Sequence, residues 1–270
     1  MCLGVPDEAR TRPAVLILTG VGLTAAVARR PIAELQKRFL VLGPAGGGQA
    51  EAGNIGVPTA EDALALLEAA GAEEAHVVGL SFGATVAQEI AIRYPNRVSS
   101  LILGSSTAGG ELYAPPERAV RDFVRRLGEL PAEEGLWASV PYLYAPATWR
   151  RHAPLVGEDI ARRMTGPLDP RAYSRQRAIA RAHDAAVRLR EITVPTLVLH
   201  GEQDRILPLD NGRRLAAAIH GAQFMSLPGG GHAFPTDVSE ANQTLVSFLL
   251  AHPRRRQDSA PRRTRRATRA

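Results

Sequence analysis

The sequence predicts an α/β protein with a mostly parallel, doubly wound sheet of about six strands and helices on both of its faces. Short, continuous apolar runs recur along the chain, which is typical of parallel strands buried on both faces. Segments of helical periodicity separate most of these runs, which indicates right-handed βαβ units. One long interval, residues 105–190, lacks strand character and predicts an insertion.

The first four strands alternate with helices. Apolar runs predict these strands at 14–18, 39–42, 75–80 and 98–104. Helical periodicity predicts helices at 24–38, 59–71 and 82–93. In the helix at 59–71, Thr59 is a suitable N-cap with Asp62 three residues later, and Gly71 is a suitable C-cap. After the long interval, strands are predicted at 194–201 and 223–227, and helices at 209–219 and 235–251.

The chain therefore divides into five segments. Residues 13–104 and 191–251 are expected to form the core. Residues 105–190, called the insertion below, are expected to form a helical cap, with helical stretches near 116–128 and 170–190. A flexible N-terminus is expected over 1–12, and a basic, disordered tail over 252–270.

The net charge of +6 resides in the tail. Residues 252–270 hold eight Arg and one Asp, a local charge of +7, so residues 1–251 carry −1 of the total. A run of like charge without aromatic residues is usually disordered and solvated, the alternative being nonspecific binding to an anionic surface or partner. The nearly neutral body gives no indication of a specific nucleic-acid partner.

Other features exclude further classes. No apolar run approaches the roughly 20 residues of a membrane span, and the first residues lack the apolar core of a signal peptide, so we expect a cytoplasmic protein. Cys2, the single cysteine, excludes an intramolecular disulfide, and we predict neither metal nor cofactor. A single Lys against 32 Arg suggests a GC-rich bacterial genome. The oligomeric state stays open.

The segment GLSFG, residues 79–83, follows an apolar strand and opens a helix. This is the context of a nucleophile elbow, in which a tight turn holds a serine, here Ser81, above the sheet. Small residues are needed at Gly79 and Gly83, because a Cβ there would meet neighbouring backbone. The N–H of Phe82 is then placed to donate to an oxyanion. The alternative is a structural turn that happens to contain a serine.

A nucleophilic serine needs a base and an acid that orients the base. His232 lies in the Gly-rich segment PGGGHAF after the last strand, where the loop can bring its imidazole over the end of the sheet. Asp204 directly follows the fifth strand, and such loops at the carboxyl ends of parallel strands collect catalytic groups. Asp210 and Asp237 are weaker candidates, since both resemble acids of a first helical turn.

The order Ser81, Asp204, His232 is that of an α/β-hydrolase triad. Residues 13–251 resemble the α/β-hydrolase superfamily, through the segments GLSFG, VPTLVLHGEQDRILP and PGGGHAF, and more loosely its polyhydroxyalkanoate depolymerase and lactonase-like branch. The resemblance implies a second oxyanion donor, the backbone N–H of Val21.

The sequence departs from this family at three places. Thr19 stands where most members have histidine, in the dipeptide after the first predicted strand. In the segment GPAGGG, Gly43 and Ala45 replace the family's Asp and Arg. The usual polar bracing is thus missing, which predicts a more apolar and flexible mouth of the site. The 13 residues before the first strand are too few for the family's antiparallel hairpin, so either the sheet is short at one edge or the true start lies upstream.

These features predict a serine hydrolase that cleaves an ester, lactone or thioester of an apolar small molecule through an acyl-enzyme. The alternatives are C–C bond hydrolysis, cofactor-free perhydrolysis or a natural-product tailoring or cyclisation step on the same triad, or a noncatalytic ligand binder. Apolar and aromatic residues of the insertion are expected to shape the substrate pocket, with packing inside the insertion as the alternative for each: Leu112, Tyr113, Phe123, Trp137, Tyr142, Tyr144 and Trp149.

Overall fold

The computed structural model describes residues 12–21, 25–43, 59–164 and 170–253. The N-terminus predicted to be flexible and the predicted basic tail lie outside the described residues, apart from residues 12, 252 and 253. Ala45 and the rest of the Gly-rich segment beyond Gly43 lie outside them as well.

The sheet has six parallel strands in the order β2-β1-β3-β4-β5-β6. This confirms the predicted fold class, with every pairing parallel. The second strand begins one residue later than predicted. The strands are β1 (Ala14–Leu18), β2 (Leu40–Leu42), β3 (Ala75–Leu80), β4 (Val98–Gly104), β5 (Thr196–Gly201) and β6 (Gln223–Leu227).

Helices connect the strands and fill the insertion. In chain order the helices are α1 (Ala25–Leu35), α2 (Ala60–Ala69), α3 (Phe82–Arg93), α4 (Arg118–Arg126), α5 (Ala132–Leu143), α6 (Pro146–Arg151), α7 (Ala153–Met164), α8 (Pro170–Ala182), α9 (Leu209–Ala218), α10 (Phe234–Asp237) and α11 (Ser239–Ala251). None of the helices within the described ranges is long and apolar enough to cross a membrane.

Both faces of the sheet are covered, as successive residues of β1 show. Leu16 and Leu18 belong to the apolar cluster shared with α2, α3 and α9, whereas Val15 and Ile17 belong to the cluster shared with α1 and α11. Every residue of β1, β3, β4 and β5 is buried, which explains why these strands are mostly apolar in the sequence. The outer strand β6 is exposed along most of its length.

Some predicted boundaries are wrong. The helix predicted at 24–38 ends at Leu35, and the one predicted at 235–251 is interrupted at Val238, whose backbone is extended. The stretch predicted near 170–190 is helical only to Ala182, because Asp184 then forms a backbone bridge to Gly109 across the base of the insertion. The N-cap of α2 agrees with prediction, since the Thr59 hydroxyl accepts a hydrogen bond from the Asp62 N–H. The C-cap is Ala70 and not the predicted Gly71, which follows it with a positive φ.

Candidate active site

The predicted elbow is a strained turn. Ser81 lies between the last residue of β3 and the first of α3, with φ 55° and ψ −120°. This φ lies in a region that non-glycine residues rarely adopt. The Ser81 N–H donates to the carbonyl of Gly104 at the end of β4 (2.8 Å), and its carbonyl accepts from the Ala84 N–H (2.9 Å). These bonds hold the serine in its strained conformation at the carboxyl edge of the sheet.

The two glycines beside Ser81 allow close backbone contacts. A Cβ on Gly79 would lie 2.4 Å from the Cα of Ala84, where no atom fits. A Cβ on Gly83 would lie 2.1 Å from the carbonyl oxygen of Leu18 at the end of β1. The absence of side chains therefore lets the turn close tightly and brings the segment after β1 against it.

Ser81, His232 and Asp204 form one chain of hydrogen bonds. The Nε2 of His232 is 2.9 Å from the Ser81 Oγ, and its Nδ1 is 2.8 Å from the Asp204 Oδ2. The side chains of His232 and Asp204 are 4% and 0% exposed, so the bond between them is shielded from water, whereas Ser81 is partly exposed. An ionised carboxylate only accepts, so Nδ1 carries the proton and Nε2 presents its lone pair to the serine hydroxyl.

The segment after β5, residues 202–208, contains Asp204 and is called the acid loop below. Several hydrogen bonds stabilise the Asp204 carboxylate. Its Oδ1 accepts from the backbone N–H groups of Ile206 (2.9 Å) and Leu207 (2.8 Å). Burial raises the pKa of Asp204, but the neighbouring His232 and the hydrogen bonds from His200 and His232 outweigh this and hold the pKa well below its usual range. Asp204 is therefore ionised at neutral pH.

His200 is a neighbour of Asp204 that was not singled out from the sequence. It is the second-last residue of β5, and its Nε2 is 3.3 Å from the Asp204 Oδ2 and 2.8 Å from the carbonyl oxygen of Leu207. In the sequence it is one more histidine at the end of a strand. The sequence signal that could have identified it is its position four residues before Asp204, since a tight turn between the two residues brings their side chains together.

The loop that carries His232, residues 228–233 and called the base loop below, is fixed between the core and the insertion. On the core side, its Gly230 carbonyl accepts from the Gln203 N–H (2.8 Å). On the insertion side, the Ala233 N–H donates to the carbonyl of Leu143 at the end of α5 (2.7 Å). A Cβ on Gly231 would lie 2.8 Å from the Ala145 nitrogen, so the two backbones touch.

Asp237 strengthens this junction. Its Oδ2 accepts from the Gly231 N–H (2.7 Å), and both carboxylate oxygens lie 3.2 Å from the Ala145 nitrogen. Burial raises the pKa of Asp237, and hydrogen bonds from Thr148, Gly231 and Ala145 offset part of that rise. The carboxylate thus faces the base loop and the insertion instead of His232. The other acid considered, Asp210, is exposed and pairs with Arg213 in the first turn of α9 (3.2 Å).

The predicted oxyanion donors lie on the two segments that meet at the elbow. Phe82 is the first residue of α3, and N–H groups in the first turn of a helix have no acceptor within that helix. Val21 is partly buried against the core and lies three residues after Leu18, whose carbonyl touches Gly83. Thr19, at the position where relatives have histidine, lies between Leu18 and Val21.

The aromatic residues of the insertion have different surroundings. Tyr144 is buried and its hydroxyl lies 3.3 Å from the Asp159 Oδ2, so it packs in the interior of the insertion. Phe123 and Tyr142 stack with ring centroids 4.3 Å apart, and Trp137 is half exposed. Within the described residues no group of three or more His, Cys, Asp or Glu side chains is arranged to hold a metal ion.

Comparison with known proteins supports the same fold. A family model described as alpha/beta hydrolase fold matches residues 13–236. The chain belongs to the α/β-hydrolase fold family. It is an enzyme of the hydrolase class, as the names of its relatives indicate.

Three relatives illustrate the range of reactions in this family. The chain is 29% identical to "Putative carbamate hydrolase RutD" of Variovorax paradoxus (strain S110), over 87% of this chain and 91% of the relative. It is 32% identical to the 2-hydroxy-6-oxo-6-phenylhexa-2,4-dienoate hydrolase of Comamonas testosteroni, over 72% and 69%. It is also similar to the structure of a thermophilic esterase from Thermogutta terrifontis, with a TM-score of 0.70 and 27% identity over 90% and 92%.

Proposed function

We propose that this hydrolase cleaves an ester, lactone or thioester of an apolar small molecule, with Ser81, His232 and Asp204 as its catalytic triad. The observation that carries the proposal is the chain of hydrogen bonds from the buried Asp204 through His232 to the strained, partly exposed Ser81. A serine needs a base within hydrogen-bond reach to act as a nucleophile, and the 2.9 Å separation from the His232 Nε2 meets this requirement.

In the proposed reaction, the Ser81 Oγ attacks the substrate carbonyl while His232 Nε2 takes the hydroxyl proton. Asp204 accepts from the Nδ1–H and stabilises the imidazolium that forms. The N–H groups of Phe82 and Val21 stabilise the oxyanion, and such a donor typically contributes about 3 kcal/mol. His232 then protonates the leaving group. Water, activated by the same imidazole, hydrolyses the acyl-enzyme and restores the serine hydroxyl.

The insertion has the proposed role of a cap that selects the substrate. The C-terminal end of α5 contacts the base loop through the Leu143 carbonyl, so neighbouring side chains of α5 lie beside the triad. The Tyr142 ring is occupied by Phe123 and by Arg205, but Leu136, Val140 and Leu143 of α5 form an apolar cluster with Ala233, the residue after His232. An apolar acyl chain is the substrate class that such a cluster accommodates.

A second candidate is hydrolysis of a carbon–carbon bond by the same three residues. The 32% identity to the Comamonas testosteroni dienoate hydrolase favours it. The two candidates share the nucleophile and differ in the bond that breaks. Substrate panels separate them: p-nitrophenyl esters of increasing chain length, a lactone, a carbamate and a 2-hydroxy-6-oxo-dienoate.

The test of the proposed function is labelling with a fluorophosphonate probe, followed by assay of the panel. Labelling of the wild type is expected, together with ester turnover that Ser81→Ala lowers by about 10⁴- to 10⁶-fold. Ser99→Ala is the matched control, because Ser99 is a buried serine at the opposite edge of the sheet whose hydroxyl has no partner within the described residues. Labelling that persists in Ser81→Ala would refute the proposal. Labelling with dienoate cleavage and no ester turnover would favour the second candidate.

A further inference from the structure

His200 makes the most informative contact near the triad that the proposed mechanism does not use. Its side chain is fully buried, as is that of Asp204, and the two approach to 3.3 Å between Nε2 and Oδ2. The same Oδ2 accepts from the His232 Nδ1 at 2.8 Å. One carboxylate oxygen therefore lies between two imidazoles, one that reaches the serine and one that does not.

The surroundings of His200 determine which of its nitrogens carries the proton. The Leu207 carbonyl oxygen, 2.8 Å from Nε2, can only accept, so Nε2 must be the donor. Its single N–H has Leu207 as the nearer acceptor and the Asp204 Oδ2, at 3.3 Å, as the second and weaker one. The Nδ1 atom is buried without a hydrogen-bond partner within the described residues. Gly212 of α9 packs against it so closely that a Cβ there would lie 2.5 Å from Nδ1. This environment favours a neutral imidazole with its only N–H at Nε2.

From this geometry we infer that His200 is a positioning residue, which shares the Asp204 carboxylate with His232 and thereby sets the pH above which His232 can act as a base. The inference rests on the proposed function of the triad. His200 touches neither Ser81 nor the reacting atoms in this scheme, and acts only through Asp204.

The shared oxygen links His200 to the basicity of His232. A carboxylate with more donors holds each partner's proton less tightly, because its negative charge is distributed over more hydrogen bonds. When the His200 donor is removed, Asp204 attracts the His232 proton more strongly. His232 then stays protonated, and inactive as a base, up to a higher pH.

Other charged groups near Asp204 are few among the described residues. The acid loop presents the N–H groups of Ile206 and Leu207, β5 presents His200, and the base loop presents His232. Arg205 follows Asp204 in sequence, but its guanidinium lies over the Tyr142 ring and 3.8 Å from Glu117, at the surface. The α9 helix packs against His200 through Gly212, which carries no charge.

The experiment compares the wild type with His200→Leu and His200→Gln. Leu removes the donor, whereas the amide of Gln can donate from nearly the same position as Nε2. The rate of inactivation by the fluorophosphonate probe is measured between about pH 5 and pH 9, a range that includes the ordinary histidine pKa of about 6.5.

His76→Leu is the matched control, because His76 is a buried histidine of β3 that bonds Ser100 at the opposite edge of the sheet. Thermal unfolding checks that each variant is folded.

For His200→Leu we expect the pH midpoint of inactivation to rise by about one unit, equivalent to a tenfold lower proton concentration. The rate should recover at alkaline pH, and His200→Gln should restore the wild-type midpoint. His76→Leu should leave the midpoint unchanged. A folded His200→Leu protein with an unchanged or lowered midpoint overturns the inference, because a merely structural role does not change the pH profile.

A second measurement uses the wild type alone, so it does not depend on whether a variant folds. Two-bond ¹H–¹⁵N correlation spectra of the wild type report which ring nitrogen of His200 carries the proton. The inference requires the Nε2–H tautomer, and an Nδ1–H tautomer contradicts it. If the wild type is not labelled at all by the probe, the proposed function fails instead, and the tautomer of His200 still shows separately whether its Nε2 carries a proton that Asp204 can accept.

Discussion

The acid loop and the base loop bring the two partners of Ser81 into place, and the surrounding structure holds them in different ways. Asp204 is held by the N–H groups of Ile206 and Leu207 and by His200, all of which belong to the core. The base loop, in contrast, bonds to the insertion directly through Ala233 and indirectly through Asp237. The hydrogen bond and ion pair that join the insertion to the acid loop within the described residues are long contacts of the half-exposed Arg205.

If the insertion is the cap proposed above, this difference gives it a route to influence the proposed base and not the proposed acid. A shift of the insertion would displace the imidazole of His232 while the carboxylate of Asp204 keeps its core contacts. Substrate binding under the insertion could therefore adjust the base and leave the acid in place. Variants that perturb the two loops separately test this division.

Asp204→Asn should have the largest effect of these variants. The amide cannot stabilise the imidazolium and favours the wrong tautomer of His232, so we expect ester turnover to fall by about 10⁴-fold with the insertion undisturbed. Steady-state kinetics with a p-nitrophenyl ester measures the loss. A loss of less than tenfold would mean that His232 does not depend on this carboxylate.

The same variant should change the acid stability of the protein. The pKa of Asp204 is lowered by folding, so the stability it contributes is present above its unfolded pKa of about 3.9 and is lost as the pH falls further. The difference in unfolding free energy between the wild type and Asp204→Asn should therefore shrink below about pH 4. Urea denaturation at several pH values measures it, and a difference that stays constant with pH would argue against an ionised Asp204.

Asp237→Asn should have an intermediate effect, through the base loop. The amide nitrogen would face the N–H of Gly231 or Ala145, two donors that the carboxylate now satisfies. A small displacement of a catalytic group can lower the rate by about 100-fold, so we expect a 10- to 100-fold loss in kcat. Asp210→Asn is the control, because Asp210 is an exposed acid of the first turn of α9. Equal kcat values for the two variants would remove the proposed link between the insertion and the base.

Arg205→Ala should have the smallest effect. The side chain is nearly half exposed, and its contacts with Pro141 (3.5 Å) and Glu117 (3.8 Å) are long. Such surface contacts contribute about 0–1 kcal/mol, so kcat should stay within about twofold of the wild type. Arg213→Ala, which breaks another exposed ion pair, is the control in thermal unfolding and kinetics. A large loss of kcat in Arg205→Ala alone would show that the insertion also positions the acid loop.

The core of the fold could be predicted because its signals are local. A strand buried on both faces is mostly apolar, so β1 is evident in the sequence as a continuous apolar run and β4 as the run LIL after two buried serines. The candidate triad could be predicted for a similar reason. Ser81, Asp204 and His232 each follow a strand of one parallel sheet, and the carboxyl ends of those strands meet at one edge.

Contacts between distant segments could not be predicted. Asp237 has the sequence context of an acid in a first helical turn, and its actual partner Ala145 is 92 residues away. Tyr144 was expected to shape the pocket but bonds Asp159 inside the insertion, a contact that depends on how α5 and α7 pack. The individual helices between 132 and 164 were not located, since their faces are covered by each other as well as by the core.

The central claim is that Ser81 forms an acyl-enzyme, and mass spectrometry tests it most directly. The wild type is mixed with a p-nitrophenyl ester, quenched in acid during the first turnover and digested. If Ser81 is acylated, the mass of the peptide that contains Ser81 should increase by one acyl group in the wild type, and no such increase should appear in Ser81→Ala. Ester turnover with the acyl group on another residue, or with no acylated peptide in the burst phase, would contradict it.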